Sequence, residues 1–318
     1  MKKIIVYGIA ALLVLFTGGL LASRKTSQPA KLANENAKIY CSADSKLSAT
    51  QSIQSHRSYC IKPESTGGGY APITPITYGF SIVDDQGNTL KDFQITHTKQ
   101  LHLIVASKDL AYFQHVHPEL NSQTGVFTML GLTFPSKGPY RIFADFAAVE
   151  GQKGAKGMPL MATPWKDVII GDEKSYTPAL LGSEEKIKTF DGYQVTLGSY
   201  SPLQKGTEGM LTFDILQNGK KVTNLEPYLG SLGHSVILRE RTLDFIHAHP
   251  VEDVSAKQNG TVSFMVDFPE AGKYKVFTQF QRGGKVITTD FVVSVAEGST
   301  QGGNPMEGQA PASGHMMH

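Results

Sequence analysis

From Tyr78 onward the chain is a series of short apolar runs, rich in Val, Ile, Phe, Tyr and Thr, separated by Gly, Asp, Asn and Pro. Closely spaced runs of this composition, bounded by turn-forming residues, are typical of antiparallel strands in a β-sandwich or barrel. The pattern predicts strands at 80–83, 100–106, 112–117, 125–134, 140–146 and 165–170, and again at 211–216, 234–238, 245–249, 261–268, 274–280 and 286–295.

The two halves of this series repeat one pattern. Three histidines, a phenylalanine and a proline occur twice, 132 positions apart: His102, Phe113, His115, His117, Pro118 and His234, Phe245, His247, His249, Pro250. Further along, the offset becomes 134, which a two-residue insertion explains. Self-similarity at a fixed spacing indicates an internal duplication. The predicted fold class is therefore all-β, with two tandem antiparallel β-sandwich domains.

A chain of 318 residues is long enough for about two domains of ordinary size. We predict the first β-sandwich at 76–171, a linker at 172–186 and the second β-sandwich at 187–296. Residues 297–318 are rich in Gly, Ser, Gln, Asn and Pro and end in His and Met. Such a composition cannot bury enough apolar surface to order itself, so we expect a disordered tail.

The N-terminus begins Met1-Lys2-Lys3 and continues with 19 mostly apolar residues, 4–22. A basic start followed by an apolar run is typical of a secretory signal peptide. The run also approaches the roughly 20 residues that span a bilayer as a helix. Residues 1–25 are thus a signal peptide or an uncleaved membrane anchor, and both place the rest of the chain outside the cytoplasm, either membrane-anchored or secreted or periplasmic.

Residues 26–75 are predicted to form a linker with a small disulfide-closed element. The chain contains two cysteines, Cys41 and Cys60. In an oxidising compartment such a pair most simply forms a disulfide. The competing interpretation is a thiolate metal site that includes His56, although it lacks paired CxxC spacing.

The charge of the chain argues against a nucleic-acid partner. The formal net charge is +2, 18% of residues are charged, and basic residues do not interleave with aromatic residues. A nucleic-acid-binding surface needs a concentrated basic patch.

The duplicated histidines are predicted to share a sheet face within each copy. A two-residue hairpin turn at Lys108-Asp109 places His102 opposite His115, and His117 points to the same side because side chains alternate along a strand. A turn at Glu240-Arg241 gives the second copy the same arrangement. The geometry requires a loop with an even number of residues, since an odd loop would send the first histidine to the other face.

Three imidazoles on one face suit a transition metal. The sequence predicts one site at His102, His115 and His117, with Asp145 as a fourth ligand, and a second site at His234, His247 and His249. Three histidine ligands with an open position suit copper or zinc, and affinity order favours copper. The tail offers four more soft or borderline ligands for copper: His315, Met316, Met317 and His318.

Other roles for the histidines stay open. Phe113 and Phe245 lie on the same predicted strand faces, so the rings could be structural groups in a core, satisfied by hydrogen bonds. They could also sense pH or take part in catalysis. A metal hydrolase or oxidase would need a base, for which Glu119 is the nearby candidate in the first copy. We expect no enzyme, since no catalytic motif accompanies it.

The segments HLIVASKDLAYFQHVHPE (102–119) and FPSKGPYRIFADF (134–146) resemble a group of exported bacterial envelope proteins. These proteins have duplicated cupredoxin-like or immunoglobulin-like β-sandwich domains with an FxHxHP motif, and they are loosely related to YtkA-like domains. The resemblance implies a β-sandwich and an association with metal-handling envelope proteins. Neither repeat contains the cysteine of electron-transfer cupredoxins, so a blue-copper centre is not expected.

The resulting functional hypothesis is an extracytoplasmic protein that binds, sequesters or delivers a transition metal, with copper preferred and zinc possible. Its expected partners are the metal ion and an envelope metal-handling protein. The alternative is a non-metal interaction or structural module of the envelope whose immunoglobulin-like sandwiches contain structural histidines.

Overall fold

The computed structural model of the chain describes residues 59–65, 69–153, 159–172, 176, 179–251 and 258–298. Its named elements are all β-strands. The first half contains β1 (Tyr59–Pro63), β2 (Ile76–Asp84), β3 (Phe93–Gln94), β4 (Leu101–Ser107), β5 (Phe113–Val116), β6 (Glu119–Asn121), β7 (Val126–Leu132), β8 (Gly138–Lys153), β9 (Pro159–Ala162) and β10 (Trp165–Ile170). The second half contains β11 (Ile187–Phe190), β12 (Tyr193–Ser199), β13 (Glu208–Gln217), β14 (Lys220–Lys221), β15 (His234–Arg239), β16 (Phe245–Pro250), β17 (Thr261–Asp267), β18 (Gly272–Arg282) and β19 (Lys285–Val295).

The first half is a sandwich of two antiparallel sheets. One has the order β1-β2-β7-β6, and the other has the order β10-β8-β4-β5, with β3 and β9 also pairing with β8. Phe80 and Phe127 from the first sheet pack in one core with Leu103 and Phe146 from the second, and all four side chains are buried. Interdigitated apolar faces of this kind are what hold two sheets together.

The second half follows the same plan with one continuous sheet. Its order is β11-β12-β13-β17-β16-β15-β18-β19, and β14 pairs with β13. Strand β16 joins the two layers, since Ala248 pairs with Ser235 of β15 and His249 pairs with Met265 of β17. In the first half the equivalent stretch is divided into β5 and β6, which belong to different sheets. The prediction of an all-β chain with antiparallel sandwich domains is confirmed.

Of the predicted linker, the N-terminal segment and the tail, the structure describes only a part. Residues 59–63, within the stretch expected to be a linker, form β1 and pair with β2. Cys60 is buried in β1, but Cys41 lies outside the described residues, so the disulfide stays a prediction. The N-terminal segment 1–25 and most of the tail also lie outside them. Within the described part of the chain, no helix is long and apolar enough to cross a membrane.

Strand β4 is buried along its whole length, which is unusual for a strand of an antiparallel sandwich. Leu103 and Val105 point into the core of the first domain, whereas Ile104 and Ala106 belong to a different core that also contains residues of the second domain. The second domain therefore covers the outer face of this sheet. We call this shared set the interdomain core: Ile104, Ala106, Leu110, Phe143, Val236, Leu238, Leu243, Phe245 and Phe277.

The two domains meet through equivalent faces. Phe113 stacks on Phe277 with ring centroids 4.3 Å apart, and Phe143 packs on Phe245 at 5.3 Å. Phe113 is the repeat equivalent of Phe245, and Phe143 is that of Phe277. Exchanging the repeats thus converts one contact into the other, which is the signature of a twofold, self-complementary interface.

A buried arginine reinforces this interface. The Arg141 guanidinium lies 3.4 Å from the centroid of the Trp165 ring, and its Nε donates to Asp167 Oδ1 at 2.7 Å. Its Nη1 donates to the backbone carbonyl of Thr242, in the second domain, at 2.8 Å. Planar stacking and several fixed donors are the features that distinguish arginine from lysine at such contacts.

Candidate metal centre

His102, His115 and His117 lie on one sheet face, but the strand register differs from the predicted one. His115 pairs with Ile104, so the prediction that it lies opposite His102 is wrong by two residues. The hairpin loop is centred one residue later than expected and closes with a bond from Ser107 N to Tyr112 O. A shift of two residues preserves the alternation of side chains, which is why the shared face is nevertheless found.

The second hairpin is shifted in the same way. His247 pairs with Val236 instead of lying opposite His234. Each loop contains a buried leucine in the left-handed region, Leu110 with φ 59° and Leu243 with φ 56°, and both leucines belong to the interdomain core. Burying a leucine contributes about 1.5–3 kcal/mol, which offsets the roughly 1–2 kcal/mol cost of left-handed backbone. Burial of the leucine therefore determines where the loop lies.

Three ring nitrogens of the first repeat converge. His102 Nδ1 is 3.0 Å from His115 Nε2 and 3.2 Å from His117 Nε2. Nitrogens bound to one tetrahedral ion at 2.0–2.1 Å are separated by about 3.3 Å. Both separations are thus close to the spacing of two ligands of a single metal ion.

The rings of His102 and His115 each form a hydrogen bond through the nitrogen that points away from the other histidines. This bond decides which nitrogen of the neutral ring carries the proton. His102 Nε2 is 3.1 Å from the Thr96 carbonyl, and a carbonyl can only accept, so this nitrogen donates. His115 Nδ1 is 2.8 Å from Gln279 Oε1, while the Gln279 amide nitrogen donates to Thr288 Oγ1. In the neutral rings, His102 Nδ1 and His115 Nε2 consequently face each other as lone pairs. An outward N–H bonded to an oxygen is typical of metal-ligating histidines.

His234 of the second domain joins this cluster. One ring nitrogen from each of His102, His115 and His234 lies within 4.8 Å of the others, and all three residues are buried, so the group could hold a metal ion. The His234 ring stacks against His102 at 5.5 Å between centroids and against His115 at 5.0 Å. The structure thus brings His234 to the histidines of the first repeat, and the predicted second site with His247 and His249 stays a prediction. The twofold interface brings the equivalent residues His102 and His234 together. We call His102, His115, His117 and His234 the histidine cluster.

The remaining predicted ligands are placed as follows. His247 and His249 lie on β16, but their side chains are outside the described part of the structure. The tail residues also lie outside it: His315, Met316, Met317 and His318. Their roles as ligands stay predictions.

Asp145 is buried beside the cluster. It pairs with His102 across β4 and β8, as Gln279 pairs with His234 across β15 and β18. Asp145 and Gln279 therefore occupy equivalent positions in the two repeats. The carboxylate accepts a hydrogen bond from Thr163 Oγ1 at 2.8 Å, and its charge offsets a small part of the lowering of the His115 pKa, whose main cause is burial. The part of Asp145 as a fourth ligand stays a prediction.

The surroundings of two rings favour their neutral form. Burial, and then the neighbouring His117 and His102 rings, lower the pKa of His115 to about 3. Burial, and then His102 and Lys99, lower the pKa of His117 to about 4. At neutral pH these rings are neutral, which is the state in which imidazole binds a metal.

We expect the metal-free protein to lose stability as the pH falls. An imidazole in the unfolded chain has its ordinary pKa of 6.5, whereas the folded values are about 3 and about 4. The unfolded state therefore binds more protons below pH 6.5, and the stability present above that pH is lost as the pH falls through the folded values. Denaturant unfolding at pH 7.5, 5.5 and 4.5 measures this. His117→Asn should show a smaller decline, and a decline equal to that of the wild type would contradict this explanation.

Gln279 is expected to tune the affinity of the cluster across the domain boundary. In Gln279→Leu, His115 Nδ1 loses its acceptor, so the ring is no longer held in the required tautomer. Loss of such an outer-shell partner typically lowers metal affinity about 10–100-fold. Calorimetric titration compares this variant with Gln281→Leu, a matched change on the same strand at a residue bonded to Glu226 instead. Equal affinities in the two variants would argue against the role of Gln279.

Sequence reasoning missed His97. This half-buried residue lies in the turn between β3 and β4, with its ring centroid 5.3 Å from that of His234 and 6.0 Å from that of His102. The repeat pattern gave no signal, because the equivalent position in the second copy is Leu229. The neighbour of Asp145, Thr163, was missed for a similar reason, since it lies in a segment without a full repeat counterpart.

Solved structures resemble this chain only remotely. An activated α2-macroglobulin from Escherichia coli is 13% identical with a TM-score of 0.23, and the match covers 76% of this chain and 20% of that chain. Titin Ig tandem domains A164-A165 are 12% identical with a TM-score of 0.19, covering 76% and 96%. Invasin, described as a bacterial integrin-binding protein, is 14% identical with a TM-score of 0.21, covering 74% and 39%. The chain thus spans about a fifth of the length of the α2-macroglobulin. No curated protein matches the sequence.

One family model matches most of both domains. It is described as a domain of unknown function, DUF8832, and it covers residues 68–158 and 188–297. The likeness to YtkA-like and cupredoxin-like proteins that the sequence motifs indicated stays a prediction, because this match does not show either assignment. The chain belongs to the DUF8832 family.

Proposed function

We propose that this protein binds a transition-metal ion at the histidine cluster between its two domains. The observation that carries the proposal is the buried group of His102, His115 and His234, in which one ring nitrogen of each residue lies within 4.8 Å of the others. The His102 and His115 rings are each anchored by an oxygen acceptor on the nitrogen that points away from this group.

The convergence of ring nitrogens from both domains is what favours a metal ion over a purely structural role. In a structural network His117 Nε2 would donate to His102 Nδ1 at 3.2 Å, yet His115 Nε2 points at the same His102 nitrogen at 3.0 Å. A charged, protonated ring is costly at such a buried position. A metal ion could instead be coordinated by several of these nitrogens at once.

The donor set favours copper over zinc. Imidazole binds both metals well, and the general order of affinities for divalent ions places copper above zinc. Three nitrogens with a further open position suit either ion, so the preference follows from intrinsic affinity. We propose copper as the physiological metal and zinc as the alternative.

We further propose that the protein stores or delivers the ion outside the cytoplasm instead of using it for turnover. The basic start and apolar run of residues 1–25 support export, either as a signal peptide or as a membrane anchor. Glu119, the candidate base, is exposed on β6, a strand of the other sheet of its domain. An envelope metal-handling protein is the partner that this role requires.

Calorimetric titration of the metal-free full chain with Cu(II) and Zn(II) tests the proposal. We expect tight binding of at least one equivalent, tighter for Cu(II), that is weakened by His117→Ala. The double variant His315→Ala/His318→Ala separates the cluster from the tail, because it should leave the tight site unchanged. Absence of binding to the wild type would instead support the alternative, an envelope interaction module with structural histidines.

A further inference from the structure

The turn that carries His97 has an unusual backbone. Thr96 and Lys99 exchange two backbone hydrogen bonds, at 2.9 and 3.0 Å, and the two residues between them have positive φ, 48° for His97 and 66° for Thr98. Two successive positive φ angles define a turn that favours Gly and Asn. A β-branched threonine is an outlier there, and such strain concentrates at functional sites.

The second repeat contains the same turn with different residues. Tyr228 N bonds to Ser231 O at 2.7 Å, and the central residues are Leu229 with φ 55° and Gly230 with φ 90°. Leu229 is equivalent to His97 and Gly230 to Thr98. The turn therefore requires neither a histidine nor a threonine, so the presence of His97 needs another explanation.

The position of the turn supplies an explanation for the presence of His97. The carbonyl of Thr96, the first residue of the turn, anchors His102 at 3.1 Å. The turn also contacts its counterpart across the interface, since a Cβ at Gly230 would lie 3.7 Å from Thr98 Cγ2. The 96–99 turn thus lies at the boundary of the two domains, next to the cluster residues of each.

The ring spacings place His97 next to the group that could hold one ion. Imidazoles bound to one tetrahedral ion at 2.0–2.1 Å have ring centres about 5 Å apart. Ring centroids of His102 and His115 are 5.2 Å apart, and those of His115 and His117 are 4.8 Å apart. His97 is 5.3 Å from His234 but 6.0 Å from His102, so it lies at the edge of the group formed by His102, His115 and His234. Unlike His102 and His234, which are almost fully buried on strands, His97 is half-buried on a turn.

We propose that His97 is an exchangeable nitrogen ligand of the metal ion and that the 96–99 turn is the route by which the ion enters and leaves. This inference rests on the proposed metal-binding function. A ligand on a half-buried turn can leave the ion without disturbing the paired strands that carry His102 and His234. The strand-borne rings would hold the ion while His97 releases it.

His97→Leu tests the inference, because it places the second repeat's residue in the same turn. The Cu(II)-loaded full chain is measured by electron paramagnetic resonance, by chelator competition and by the rate of Cu(II) transfer to a chelator. We expect the spectrum of His97→Leu to show one fewer nitrogen coupled to Cu(II), and the rate of Cu(II) release to change. The Cu(II) affinity should fall by at least about 10-fold, which is the lower end of the cost of losing an outer-shell partner. Thr98→Gly, which copies Gly230, is the matched control and should keep the nitrogen count and the affinity.

The outcomes distinguish this inference from the proposed function. If the wild type binds Cu(II) and His97→Leu shows an unchanged nitrogen coupling, then His97 is not a ligand and the inference is wrong, while the proposed function stands. If the wild type binds neither Cu(II) nor Zn(II), the proposed function fails, and this inference fails with it. Thermal unfolding of the metal-free variant checks that His97→Leu folds like the wild type.

Discussion

Replacing His102 with alanine is expected to remove metal binding almost completely. His102 Nδ1 lies 3.0 Å from His115 Nε2 and 3.2 Å from His117 Nε2, and its ring also stacks on His234. Its loss removes a ligand and the contact that orders the others. The fall in affinity should exceed the roughly 10–100-fold cost of losing an outer-shell partner. Calorimetric titration with Cu(II) and Zn(II) measures it.

The matched control for His102→Ala is His318→Ala, which removes an imidazole from the tail and should leave the affinity unchanged. The metal-free His102→Ala protein should fold, because His102 belongs to none of the three hydrophobic core clusters of the described residues. Wild-type affinity in folded His102→Ala would show that the metal binds elsewhere.

The second large effect is expected at the domain interface. Phe277 is buried and stacks on Phe113 of the first domain at 4.3 Å. Phe277→Ala should lower the free energy of unfolding by about 3–5 kcal/mol, as is typical for a buried phenylalanine. Because the cluster takes residues from both domains, we also expect a large loss of metal affinity. Denaturant unfolding and calorimetric titration measure the two effects.

Phe291→Ala is the control that separates the loss of stability from the loss of metal affinity expected for Phe277→Ala. Phe291 is fully buried in the core of the second domain, outside the interdomain core. Its loss should cost a similar free energy of unfolding, yet the folded protein should keep its metal affinity under stabilising conditions. If Phe277→Ala destabilises the protein but binds metal as tightly as Phe291→Ala, the interface does not position the cluster.

The cross-domain cluster links metal binding to domain packing. His102 and His115 come from the first domain, and His234 and the Gln279 acceptor come from the second. A ligand that binds only the docked arrangement stabilises it, by about 4 kcal/mol at a free concentration 1,000 times the Kd. Loading with metal should therefore raise the free energy of unfolding of the whole chain rather than of one domain.

The strands and their faces could be predicted because both depend on local pattern. Trp165–Ile170 forms β10 with the predicted limits, and the histidines of the first hairpin share a face despite the register error. Alternation of side chains has a period of two, so an error of two residues leaves the face unchanged. The position of the hairpin loop was not predictable in this way, because Leu110 is buried against the other domain.

One sequence feature did point to the interface. Leu101–Ala106 is apolar at five of six positions instead of alternating with polar residues. A continuous apolar run in a strand indicates that both of its faces are buried. Because the run contains His102, the sequence could have placed this histidine on a buried sheet face. The run could not have identified which part of the chain buries that face, since an apolar face fits many partners.

The sequence by itself determined the duplication, the all-β sandwiches and the gathering of three histidines on one face, because each follows from spacing along a strand. Only the tertiary structure decided that His234 meets His102 and His115 in one cluster, that Gln279 anchors a ring of the other domain and that His97 lies beside them. These contacts join residues more than 100 positions apart or, for His97, involve a residue whose counterpart in the second repeat is not a histidine. They arise from the packing of two equivalent faces about a twofold axis, which no local pattern encodes.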